Sequence, residues 1–161
     1  MRLLAMIAIA TSCILAPIQA SAQLGPKQQP QAGGVLTRVT PEQVASALTQ
    51  AGYRSQVVTR NNQKFVTSSI HGFNITTAFF DCNNQGCGNL QFVTWFNDKV
   101  NTDFVNAWNA QYRFAKATVD RDGELQFSMD VWLGGGVTLD NIKGYASILE
   151  YMLGELTKFR P

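Results

Sequence analysis

The chain is poor in the residues from which most active sites are built. Among its 161 residues there are one histidine, His71, and three cysteines, and only 15% are charged. Basic and acidic side chains number 13 and 11, for a net charge of +2, too balanced to mark a surface for nucleic acid. Neither a phosphate-binding loop nor a dinucleotide fingerprint occurs, and no serine has the setting of a triad. A tetrahedral zinc site needs four donors, and besides the cysteines only His71 offers nitrogen. No catalytic residue, metal or cofactor is therefore assigned, and the chain is read as a non-enzyme. Long apolar runs are also missing after residue 22, so no membrane contact is expected once the N-terminus has been removed.

That N-terminus has the layout of an export signal. Arg2 precedes an apolar stretch from Leu3 to Ile18, and Ala20-Ser21-Ala22 supplies small residues before Gln23. Pro17 and the small-residue exit favour cleavage over anchoring, so residues 1–22 are expected to be a signal peptide and the product to be periplasmic or secreted. Residues 23–39 are rich in Gln, Pro and Gly and are expected to form a disordered linker. One domain, residues 40–161, follows.

Inside the domain the hydrophobic period alternates between helix and strand. Thr40-Pro41-Glu42-Gln43 reads as a capping box with proline at the first helical position, followed by Val44, Leu48 and Ala51 on one face and Gly52 as a stop. Period-two patterns then predict strands near 55–60, 64–70, 73–81 and 89–96, with Asn61-Asn62 as a tight turn. A second helix fits 102–113 behind Asn101 or Thr102, and its stripe is Phe104, Val105, Trp108 and Tyr112. A three-residue loop, Arg121-Asp122-Gly123, sets Val119 against Leu125 and Ala117 against Phe127. A last helix runs from Leu139 to about Lys158 behind Thr138. The order α-β-β-β-β-α-β-β-α predicts an α+β domain, with an antiparallel sheet of about six strands covered by helices on one face.

Cys82 and Cys87 are the only cysteines beyond the signal, and in an exported domain they are expected to form a disulfide. Pairing them directly also sets Phe79 opposite Leu90, Thr77 opposite Phe92, Ile75 opposite Thr94 and Phe73 opposite Phe96, which gathers the apolar residues on one face. Their four-residue spacing differs from the two-residue gap of thioredoxin-like redox sites.

The run Phe104-Val105-Asn106-Ala107-Trp108-Asn109, then Arg121-Asp122-Gly123, Asp130 and Gly134-Gly135-Gly136-Val137-Thr138 together resemble the YbjN family of bacterial sensory transduction regulators. The similarity extends over roughly Thr40 to Phe159. It implies an α+β fold like that of type III secretion chaperones, which bind protein partners and often pair as dimers, and it implies no catalytic residues. The export signal and the cysteine pair depart from the cytoplasmic members.

Two surfaces remain as candidate sites. The cysteine register assigns Phe80, Val93 and Trp95 to the sheet face opposite the helices, and Trp132 lies on the matching face of the last strand. Large aromatics on a polar face suit a partner site, so Phe80, Trp95 and Trp132 are the candidate partner-binding residues. Gly134, Gly135 and Gly136 precede a helix N-terminus and form a candidate anion-binding loop. His71 beside Gly72 is read as a turn residue, and Asp120, Asp122 and Glu124 as a solvated hairpin tip. The expected function is an exported protein-binding module, homodimeric, with an unidentified protein partner. The alternative is a carrier for a small apolar or anionic ligand, held between the sheet and the last helix or at the Gly134 loop.

Overall fold

A computed structural model describes residues 34–159. The expected signal peptide and residues 23–33 of the expected linker lie outside the described residues. The elements are α1 (Pro41–Gln50), β1 (Arg54–Arg60), β2 (Gln63–Ile70), β3 (Phe73–Asn83), β4 (Gly86–Lys99), α2 (Thr102–Gln111), β5 (Lys116–Val119), β6 (Glu124–Trp132) and α3 (Leu139–Lys158). All neighbouring strands are antiparallel, in the order β1-β2-β3-β4-β6-β5. The fold is the α+β arrangement that the pattern predicts.

Local chemistry sets the element ends. Thr40 and Gln43 form the reciprocal capping box of α1, and Thr138 with Asn141 forms that of α3. Asn101 caps α2 through its bond from the Phe104 amide. That helix stops at Gln111, two residues short of expectation, because Tyr112 is already extended. Asn61 and Asn62 both have positive φ, 48° and 62°, as do His71 and Gly72, 51° and 81°. Each pair therefore supplies the two left-handed positions of a type I′ hairpin turn, and His71 is a turn residue.

The core fills the space between one sheet face and the helices. Ile70, Ile75, Leu90, Phe92 and Phe127 from the strands meet Leu48, Ile142, Leu149 and Leu153 from the helices, all buried. Trp108 sits under α2, stacked on Tyr112 at 4.1 Å and edge-on to Phe127 at 5.2 Å. Its indole N–H donates to the Ala115 carbonyl at 3.0 Å. The next residue, Asn109, grips both backbone groups of Ala117 on the outer side of β5, at 2.9 and 3.0 Å. The Trp-Asn pair that carries the family resemblance is thus a packing and edge-sealing device.

The expected linker boundary needs correction. Residues 34–39 are laid against the domain: Leu36 exchanges backbone hydrogen bonds with Val137 at 2.7 and 2.9 Å, and Val39 with Cys87 at 3.0 and 2.8 Å. Val39 is fully buried. Apolar burial at Leu36 and Val39 outweighs the loop-like composition around them. Gly86 makes room for this strap. Its φ is +127°, and a side chain there would meet the Val39 carbonyl oxygen at 2.8 Å.

The cysteine register is also seen. Cys82 and Cys87 are disulfide-bonded, with Phe79 opposite Leu90 and Thr77 opposite Phe92. The five-residue separation closes a small ring, worth about 2 kcal/mol in the chain-entropy model. The joint Cys82→Ser and Cys87→Ser replacement is expected to lower stability by that amount, read as a shifted urea midpoint. Reductant should shift the wild-type midpoint in the same direction and leave the double variant unmoved; equal midpoints for oxidised wild type and double variant would show that the bond adds nothing.

Candidate functional site

The uncovered sheet face is ruled into rows by the strand register. Asn89 pairs with Phe80 on one side and with Trp132 on the other. The two aromatics therefore stand in one row, two strand spacings or about 10 Å apart. Both are open to solvent, Phe80 at 50% and Trp132 at 73% of their full exposure. The next row carries Ala78, Gln91 and Asp130. Gln91 and Lys116 donate to the Asp130 carboxylate at 2.6 and 2.8 Å. Burial alone would raise the pKa of this carboxyl, but the Lys116 and Gln91 hydrogen bonds outweigh it and hold the group below its usual value.

Trp95 belongs elsewhere. It is 55% exposed but lies six residues along β4 from Asn89, which is about 20 Å at the strand rise. The three candidate aromatics share a face without forming one cluster. Val93, assigned to the same face, is only 3% exposed, and its register partner Ser128 is buried as well. Alternation identified the face correctly, whereas exposure depends on the neighbours.

At the Phe80 end the rim is charged. Asp81, at φ 51°, accepts from Arg38, whose Nη2 lies 2.9 Å from Oδ2. Arg38 also donates to the backbone carbonyls of Asp81 and Gly86. The strap, the disulfide hairpin and the aromatic row are thereby tied into one unit.

The Gly134, Gly135 and Gly136 loop, the candidate anion site, is partly closed by its own backbone bonds. The Gly136 and Val137 amides are already bonded, to the carbonyls of Leu133 and Leu36 at 3.0 and 2.9 Å. The Thr138 side chain accepts from the Asn141 amide, and Asp140 adds a negative charge in the first turn of α3. Gly134 lies against the Trp132 ring and Gly136 against Val35. The glycines allow close packing, and of the amides around them those of Gly136, Val137, Thr138 and Asn141 already have partners.

Among the described residues no group of three His, Cys, Asp or Glu side chains is placed to hold a metal ion. Asp120 accepts from the amides of Asp122 and Glu124, a solvated hairpin tip. Fold and surface together define a small α+β protein with a one-sided helical cover and a presented sheet face. The model of the YbjN family, described as "Putative bacterial sensory transduction regulator", matches residues 40–148. The chain belongs to that family, whose description is that of a regulator and not of an enzyme. Among solved structures it is similar to one titled "Crystal structure of YbjN, a putative transcription regulator from E. coli". The two share 14% identity with a TM-score of 0.54, over 74% of this chain and 88% of the other, which is a likeness of fold. Curated proteins provide no match.

Proposed function

We propose that this chain is an exported, non-enzymatic protein-binding module of the YbjN type, homodimeric, that meets its partner at the disulfide end of the open sheet face. The observation that carries the reading is the pair Phe80 and Trp132, two exposed large aromatics on either side of Asn89. Rigid aromatics standing on a sheet offer large contact area at little entropic cost, which is the usual character of binding hot spots. The Arg38–Asp81 ion pair and the Gln91–Asp130–Lys116 bonds supply a polar rim around them. Arg2, the apolar stretch after it and Ala20-Ser21-Ala22 support export to the periplasm or medium.

Photocrosslinking tests this directly. A photoreactive residue in place of Gln91 should yield an adduct of discrete mass with another protein, and the same residue in place of Tyr151, on the outer side of α3, should not. Equal adducts from both positions, or none from Gln91, would overturn the reading. Native mass of the chain from Gln23 onward tests the dimer: twice the chain mass supports it, and a monomer at micromolar concentration removes it.

A further inference from the structure

At the sheet end away from the disulfide, the helix-covered side opens into an apolar pocket of about 320 Å³. Phe73 and Phe96 from the sheet, Phe104 from α2 and Phe159 beyond α3 form its walls, above the buried Leu125 and Leu156. The phenylalanines pack edge-on in pairs, Phe73 with Phe96 at 5.2 Å and Phe104 with Phe159 at 5.3 Å. Such a volume and lining fit a small ligand.

One charged residue lines the pocket, Asp98. Its carboxylate is exposed to solvent and has no hydrogen-bond or ion-pair partner among the described residues. The described lysines next to lining residues along the chain are engaged: Lys99 bonds Glu124 at 3.1 Å and the Asp122 carbonyl at 2.7 Å, and Lys158 bonds Glu155 at 3.2 Å. Asp98 also lies where the β4 register slips against β6, between Phe96 and Lys99. Bulges of this kind often re-aim a side chain at a site.

We propose that this pocket binds a small amphiphilic cation, with an apolar tail or ring against the phenylalanines and an amine at Asp98. The tail leaves water, the unpaired carboxylate gains a partner, and the aromatic ring faces favour a nearby cation. An anion of the same size meets Asp98 with the wrong sign. The site lies at the opposite end of the sheet from Phe80 and Trp132, so it stands or falls independently of the protein-binding reading.

The test uses butyl-, hexyl- and octylammonium, with hexanoate as the anionic counterpart, titrated into the oxidised chain and followed by NMR shifts of the phenylalanine ring protons. Affinity should rise about three- to fourfold per methylene, and hexanoate should bind about tenfold more weakly than hexylammonium. Asp98→Asn should cut that preference to about twofold or less with the melting temperature unchanged. Val100→Trp, which fills the pocket, should abolish binding of every probe while the rest of the spectrum stays native. Hexanoate binding as tightly as hexylammonium, an unchanged preference in Asp98→Asn, or shifts confined to Phe80 would each overturn the proposal. So would a second copy of the chain that excludes hexylammonium as the protein concentration rises.

Discussion

Replacing Phe80 and Trp132 together by alanine should weaken association with the protein captured at Gln91 by about thirtyfold or more, since paired aromatic hot spots carry about 2 kcal/mol or more. The fold should hardly respond. Both side chains are at least half exposed, and surface replacements of that kind shift stability by about 0.5 kcal/mol or less. Trp95→Ala is the internal control. It lies about 20 Å away along β4 and should change affinity by about threefold or less. Circular dichroism melts of all three proteins should superimpose, with binding measured by titration. An equal loss from Trp95→Ala would mean that the partner covers the whole face, and no loss from the double variant would remove the aromatic row from the interface.

Trp108→Ala should have the opposite profile, a loss of about 3–5 kcal/mol in stability with no direct effect on the open face. The indole is fully buried, touches Tyr112, Phe127 and Phe159, and satisfies the Ala115 carbonyl. A domain of this size is stable by about 5–15 kcal/mol, so the variant should sit close to the unfolding limit at room temperature. Trp108→Phe separates the two contributions. It keeps most of the ring packing but leaves a buried carbonyl without its donor, for a smaller cost of about 1–3 kcal/mol. Urea midpoints in the order wild type, phenylalanine, alanine would support this account. A Trp108→Phe variant as unstable as Trp108→Ala would place most of the effect in the hydrogen bond.

Much of the fold is legible in the chain because local and cross-strand signals coincide. The cysteine pair sets the β3–β4 register, and alternation of apolar residues on both sides agrees with it. The Asp120 to Glu124 hairpin sets Val119 against Leu125 as the three-residue loop predicts. Less legible is what depends on a third element. The order β4-β6-β5, with β6 inside, follows from nine residues outcompeting four for a place beside β4. The strap is laid down by Leu36 and Val39, which with Val35 are three apolar residues after a polar stretch, too few to show a period. The separation of Trp95 from Phe80 and Trp132 needs both neighbours of Asn89, and β6 becomes one only after the sheet is assembled. The pocket at Asp98 needs α2 and α3 in place, and its one sequence trace is a charge at the end of an apolar strand.

Both borders of the sheet are guarded. On β5 the Asn109 amide occupies the backbone groups of Ala117 that another strand would need. On β1 the exposed Arg54 and Arg60 stand at the two ends, so that a second β1 laid antiparallel about Val57 would meet like charge at both ends. Strand-on-strand growth is the usual route from a stable sheet to fibrils, and here it is discouraged on either side. Copies of this protein should therefore gather into assemblies of finite size and remain dispersed at concentrations where an unguarded sheet would polymerise.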